Sequence, residues 1–388
     1  MPDLNTASVL ERVAALGTER WAVHFEGRRR AMEDPDFIEL TIGEPDLPTP
    51  LELVDVACKA MKTGRTKYSV GKGEPTLLDA LARKYSARTG RDITPGQFLA
   101  FPGTQAALAI TMLGLVEAGD AVLVPDPYYA TYEGVVRMAG ADFVPIPMDA
   151  ANGFQLTAEQ LRAAIVPNAK MLMLNNPHNP TGAVLDKQAI IEIGEVCREH
   201  DLWILSDEVY EKLTYEGAFV SPFDIKALSD RVIANASISK SHAAPGFRSG
   251  WAVGPAWVMD RIQPLSEAML FGNQPFIADM TVHALENPGD VSAKMAASYR
   301  QRIDVLIKAF DGTPLKPLKP QAGMFMLVDV SATGMNGEAF ARLILEEGVS
   351  VMPGNSFGAR ADSFIRVSLT VPDEKLREAA RRLVAMAG

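Results

Sequence analysis

Lys240 ends the tetrapeptide Ser237-Ile238-Ser239-Lys240, directly after the apolar run Val232–Ala236. A lysine at the carboxyl end of a buried strand faces the crevice where open α/β sheets take their ligands. There its amine can form a Schiff base with a carbonyl group, as lysines that anchor aldehyde cofactors do. Eight residues on stands Arg248, in Gly246-Phe247-Arg248. A guanidinium is the natural partner of a dianionic phosphate because its fork donates two parallel bonds. Upstream, Gly103-Thr104-Gln105 lies between a strand pattern and a helix start. Exposed backbone N–H groups there form an anion cradle, and Thr104 serves equally well as a plain helix cap.

Ser206-Asp207-Glu208-Val209-Tyr210 follows another buried run, Leu202–Leu205. Asp207 therefore also projects from a strand end, where a buried carboxylate needs a partner such as a protonated ring nitrogen. Tyr210, three residues later, is placed to donate to an oxygen of the same ring. An aspartate capping the next helix has the same local look. Asn175-Asn176-Pro177-His178-Asn179-Pro180-Thr181-Gly182 reads as a rigid turn after a third strand. Asn179 either offers its amide to that ring oxygen or is an ordinary turn asparagine.

The elements that position these residues alternate along the middle of the chain. Strands are predicted over 98–101, 121–124, 143–146, 170–174, 202–205, 232–236 and 251–253, with helices over 104–117, 128–138, 158–165 and 187–199. Continuous apolar strands in a βαβ rhythm mean a mainly parallel sheet covered by helices on both faces. After about residue 286 the pattern becomes one long helix over 291–310, a Pro-rich break over 313–320, then strand, helix, strand and helix over 325–328, 337–346, 364–369 and 373–386. The expected architecture is α/β: a large domain over 46–285, and a smaller α+β domain made of 1–45 with 286–388.

The chain has 388 residues with 38 basic and 48 acidic side chains, a net charge of −10. That balance repels a phosphate backbone and argues against nucleic acid as partner. Arg28-Arg29-Arg30 is the one dense basic cluster, and Glu33 and Asp34 follow it, as on a solvated helix face. Cys58 and Cys197 are too few for a disulfide framework, and five scattered histidines show no ligand spacing, so no metal is expected. No apolar stretch reaches the roughly 20 residues of a membrane span. A cytoplasmic protein is expected.

The ordered set Ile42-Gly43-Glu44-Pro45-Asp46, Asn179-Pro180-Thr181-Gly182, Asp207-Glu208-Val209-Tyr210, Ser237-Ile238-Ser239-Lys240 with Arg248, and Phe364-Ile365-Arg366 resembles the class I/II aminotransferases. These are fold-type I pyridoxal phosphate enzymes of the aspartate aminotransferase superfamily, and the resemblance spans nearly the whole chain. Trp21-Ala22-Val23-His24-Phe25, Pro177-His178-Asn179-Pro180 and His200-Asp201-Leu202-Trp203 look most like the branch holding arginine–pyruvate and bacterial aspartate transaminases.

The resemblance implies pyridoxal 5'-phosphate as cofactor, with Lys240 as the Schiff-base lysine and Asp207 at the ring nitrogen. It puts Tyr210 and Asn179 at the phenolate oxygen, and Ser237, Arg248, Thr104 and Gln105 at the phosphate. Tyr129, in Pro127-Tyr128-Tyr129, matches the aromatic stacked on the ring. Tyr68 matches a tyrosine that reaches the neighbouring subunit's phosphate, which implies a homodimer with shared active sites. Arg366, Asn179 and the backbone of Gly43 match the grip on the substrate α-carboxylate.

The family usually reads Gly-Trp-Arg, after a small residue, where this chain has Pro245-Gly246-Phe247-Arg248; Arg248 survives the change. No arginine lies between Pro264 and Glu286, where dicarboxylate-specific members carry one. The expected activity is ping-pong transfer of an amino group from an L-amino acid to a 2-oxo acid. A C–S lyase acting by β-elimination is the alternative, because these motifs do not fix which Cα bond breaks. The donor is left open.

Overall fold

The apolar runs of the middle region form seven adjacent strands, and the helices between them cover both faces. The computed structural model describes residues 6–14 and 19–388. Helices α1 (Ser8–Ala14) and α2 (Ala22–Glu33) lead to the short strand β1 (Ile38–Leu40), and α3 (Leu51–Lys62) and α4 (Pro75–Thr89) follow. Then come β2 (Phe98–Phe101), α5 (Thr104–Leu115), β3 (Ala121–Asp126), α6 (Tyr132–Met138), β4 (Asp142–Pro147), α7 (Ala158–Ala164) and β5 (Ala169–Asn175). Next are α8 (Lys187–Glu199), β6 (Trp203–Asp207), β7 (Val232–Ser237), β8 (Gly250–Val253), α9 (Ala256–Leu270) and α10 (Pro275–Glu286). The remaining chain forms α11 (Val291–Phe310), β9 (Lys316–Leu318), β10 (Phe325–Asp329), α12 (Gly337–Glu346), β11 (Val349–Pro353), β12 (Phe364–Ser368) and α13 (Asp373–Ala387).

The first sheet has the order β2-β8-β7-β6-β5-β3-β4, parallel except that β8 runs against both its neighbours. Its inner strands are buried along most of their length, β3 and β7 at every residue, which is why they read as largely apolar runs. Two apolar layers, one per face, sandwich this sheet. The second sheet, β1-β11-β12-β10-β9, has its own core with α11, α12 and α13. Its one parallel pair brings β1 from the N-terminal region alongside β11.

Three differences from the sequence reading matter. The helix expected over 128–138 begins only at Tyr132, because Tyr128 N–H instead donates to Phe357 O at 2.7 Å. That tether leaves Tyr129 in a turn whose ring faces the cleft. The Pro-rich break contains β9, an edge strand, where Pro317 removes no needed ladder bond. Finally, α1 packs on α6 of the first layer, with Arg12 Nε donating to Arg137 O at 3.0 Å, while α2 packs on β11 and α12.

Candidate active site

Strands β5, β6 and β7 are neighbours, and their carboxyl ends open on one edge of the sheet, as ligand-binding edges of α/β sheets do. Asn175 closes β5 level with Asp207 at the end of β6. A cleft of about 460 Å³ lies there, bounded on its far side by Phe325 and Arg366 of the second sheet. Gly43, Thr104, Gln105, Tyr129, Asn179, Asp207, Tyr210, Ser237, Lys240, Arg248 and Arg366 all line it.

Asp207 is buried, and one oxygen accepts from Tyr132 Oη at 2.7 Å, the other from Val209 N–H at 3.3 Å. Burial pushes its carboxyl up to about 6, against the lowering effect of these donors and of Lys240. Its backbone carbonyl accepts from Asn176 N–H and Asn175 Nδ2, and Asn175 Oδ1 accepts from Asn179 N–H at 2.7 Å. The asparagine-rich turn is thus fastened to the end of β6. It holds Asn179 with Nδ2 donating to Tyr210 Oη at 3.3 Å and Oδ1 accepting from Arg366 Nη1 at 3.0 Å.

Lys240 sits in the turn after β7 and donates from Nζ to Gly43 O at 2.5 Å. Burial pulls its amine down to about 8, and the Arg366 and Arg248 charges act in the same direction against Glu44 and Asp207. The amine is therefore near its titration midpoint close to neutrality, where a lysine works as nucleophile or base. Gly43 can approach only because it lacks a side chain: a Cβ there would stand 2.1 Å from Phe325 Cζ.

At one end, the N-terminus of α5 faces the cleft, with Thr104 Oγ1 buried and lacking any protein partner. Arg248 lies over Gly103, which has φ +91; a Cβ there would stand 2.3 Å from Arg248 Nη2. Helix N–H groups, two serine hydroxyls and a guanidinium make this end fit for a dianion. At the other end Arg366 is 3% exposed, its guanidinium between the rings of Phe325 at 3.8 Å and Phe357 at 4.4 Å. Nη2 donates to Thr41 O at 2.6 Å, and Nε has no partner. Burial draws the guanidinium down to about 10, and no acidic side chain among the described residues pairs with it.

Tyr68 stands apart. It is 83% exposed and packs on Phe271 at 5.1 Å, beside a second depression outside the cleft. Sequence reasoning missed Tyr132 and Trp21, which both line the cleft. The one local signal for Tyr132 is its closeness to Tyr129, three residues earlier, whose ring it meets edge-on at 5.5 Å. Nothing in the spacing marks Trp21, which the fold brings in from the N-terminal region.

The model of the family "Aminotransferase class I and II" matches residues 35–383. The arginine–pyruvate transaminase AruH of Pseudomonas aeruginosa is 38% identical over 379 residues, covering 97% of this chain and 96% of that one. The aspartate/prephenate aminotransferase of Thermus thermophilus is 32% identical, covering 95% of each chain. Among solved structures, the Thermus thermophilus aspartate aminotransferase with maleate superposes with TM-score 0.93 at 31% identity, over 99% of this chain and 100% of that one. The Rhizobium meliloti aspartate aminotransferase also gives 0.93, at 28% identity and 99% coverage of each. These relatives transfer amino groups, and the lyase alternative finds no support among them. The chain belongs to the class I and II aminotransferases, with the fold-type I architecture, and is a transaminase.

Proposed function

We propose that the cleft binds pyridoxal 5'-phosphate and exchanges an L-amino acid for a 2-oxo acid in a ping-pong sequence. The observation that carries this reading is the pairing, in one cleft, of a lysine amine drawn down to about 8 with a buried arginine that has no acidic partner. The donor set suits the cofactor: Thr104 Oγ1, the start of α5, Ser237, Gln105 and Arg248 for the phosphate, and Asp207 for the ring nitrogen. Tyr210 and Asn179 suit the phenolate oxygen, and Tyr129 the ring face. Bound there, pyridoxal phosphate supplies the carbonyl carbon that takes up the amino group and a ring that withdraws electrons from the substrate Cα.

The chain's own residues do the rest. Arg366 grips the α-carboxylate, with Asn179 and Thr41 O fixing the plane of its fork. Lys240 Nζ would hold the cofactor through its carbonyl carbon and, when free, take the proton from the substrate Cα. Asp207, charged and hydrogen-bonded by Tyr132, keeps the ring nitrogen protonated. Donor and acceptor each carry one α-carboxylate next to the reacting carbon. One grip therefore serves both, and the donor's 2-oxo acid leaves before the acceptor enters.

The donor class follows from the lining. Glu44 lies in it, and among the described residues the only basic ones there are Lys240, Arg248 and Arg366. That favours basic or neutral side chains over a second carboxylate, and similarity to an arginine–pyruvate transaminase makes arginine the first donor to test. The exposed Tyr68, Val70, Met269 and Phe271 support a homodimer in which Tyr68 serves the partner's site. The two sheets with separate cores support a large domain over 46–285 and a small one of 1–45 with 286–388, apart from α1, which packs on the large one. No described helix is long and apolar enough to cross a membrane, and the unpaired thiols of Cys58 and Cys197 accord with a cytoplasmic location.

The test is the absorbance of the protein loaded with pyridoxal phosphate, mixed with single amino acids and no acceptor. Loss of the visible band with one equivalent of 2-oxo acid per site, reversed by pyruvate, is the expected result. Continuous release of pyruvate and ammonia with the band intact would overturn the reading.

A further inference from the structure

Arg366 Nη2 donates to a backbone carbonyl, that of Thr41, so the aim of the guanidinium depends on where residues 41–43 lie. That segment also supplies Gly43 O to Lys240. Beyond β1 it has no ladder of its own, and side chains hold it at both ends. At the far end Asp46 accepts from Arg302 Nη1 at 2.8 Å and from Tyr299 Oη at 3.1 Å. At the near end stands His24, on α2 and 6% exposed.

His24 Nδ1 lies 2.7 Å from Thr41 Oγ1, and Thr41 Oγ1 donates to Glu39 Oε1 at 2.6 Å. The threonine proton is committed to the carboxylate, so the hydroxyl oxygen must accept, and His24 must carry its proton on Nδ1. The result is a directed chain: His24 N–H to Thr41 O–H to the Glu39 carboxylate. Glu39 lies in β1 beside β11, so the chain ties α2, the second sheet and Thr41 into one body. The His24 ring also meets Trp21, a lining residue of the cleft, edge-on at 5.8 Å.

We infer that His24 is a positioning residue for transamination: its Nδ1–H fixes Thr41 and through it the carboxylate-binding fork of Arg366. The inference rests on the proposed role of Arg366. Because that fork holds donor and acceptor alike, disturbing it weakens both substrates; Lys240 is reached only through Gly43, two residues further on, so its proton transfer is the less affected. A misaimed fork acts in binding, and it appears in KM before kcat.

The experiment uses the pyridoxal phosphate-loaded protein with the best donor and pyruvate. His24→Phe keeps the aromatic packing and removes the donor. His24→Asn places an amide N–H where Nδ1 was, and Thr41→Val removes the hydroxyl at equal volume. The expected result for His24→Phe and Thr41→Val is a rise of about tenfold in KM for both donor and acceptor, with kcat within about threefold. The dissociation constant of a non-reacting 2-methyl amino acid, read from the cofactor absorbance, should rise by the same factor. His24→Asn should restore both constants to within about threefold of the parent.

If His24→Phe fails to fold, Thr41→Val carries the test alone. Unchanged KM in these variants, a loss confined to kcat, or an asparagine variant as impaired as the phenylalanine one overturns the inference. Arg366→Lys in the same assays separates the two claims. If it raises KM and the His24 and Thr41 variants do not, the positioning role fails alone; if it leaves KM unchanged, the reading of Arg366 fails as well.

Discussion

The two ends of the cleft each hold an arginine, in opposite physical states. Arg248 is exposed, anchored by its own Pro245 carbonyl at 2.8 Å, and surrounded by other donors: a helix start, serine hydroxyls, the Thr104 hydroxyl. Arg366 is buried between two phenylalanine rings, with a carbonyl and an amide oxygen as its acceptors and no carboxylate. A solvated cation among many donors suits a dianion that stays, since no single contact is decisive. A desolvated cation without a counter-charge is costly until an anion arrives, so its affinity is concentrated in one event. On the proposed function, anchoring is spread over many contacts, and substrate recognition rests on one.

Breaking the chemistry itself has the largest expected effect. Lys240→Ala should lower kcat by about 10⁴-fold or more, and reductive trapping of cofactor on the protein with borohydride should disappear. On the substrate side, Arg366→Lys should cost about 10²–10³-fold in kcat/KM for donor and acceptor alike, because a point charge replaces a planar fork. Arg248→Ala is the contrasting case. Cofactor affinity measured by equilibrium dialysis should weaken roughly ten- to hundredfold, with donor KM little changed.

Two pH effects sharpen the comparison. Apoprotein Lys240 should capture pyridoxal phosphate at a rate that rises with pH and levels off above about 8, since only the neutral amine attacks. A rate still climbing through pH 10 contradicts the burial argument. Tyr132→Phe removes the donor that lowers Asp207, so the carboxyl titrates higher and the acidic limb of the kcat profile moves up by about one unit or less.

Much of this was readable in the chain because it depends on local order. Lys240, Asp207 and Asn179 each follow a buried apolar strand, and strand ends of a parallel sheet meet at one edge whatever the details of packing. Helices α8, α11 and α12 were read to the residue. What stayed hidden is long-range. Arg366 has no sequence feature announcing that Phe325 and Phe357 enclose it, and only the family resemblance singled it out. Tyr132 has its decisive partner, Asp207, 75 residues away. His24 stands in a recognisable motif, but the pairing of β1 with β11 is what brings it to Thr41. Helix α9 runs through Pro264, a residue that in sequence reads as a break.

The central claim is that a buried, unpaired Arg366 selects the α-carboxylate in the half-reaction at Lys240. It is tested most directly by comparing decay of the cofactor band with the best amino acid donor and with the amine that lacks only its carboxylate, in the parent protein and in Arg366→Lys. The account predicts a preference of about 10³-fold or more for the amino acid in the parent, falling by about 100-fold in the variant. A parent that uses the amine as readily, or a variant that keeps the full preference, would contradict it.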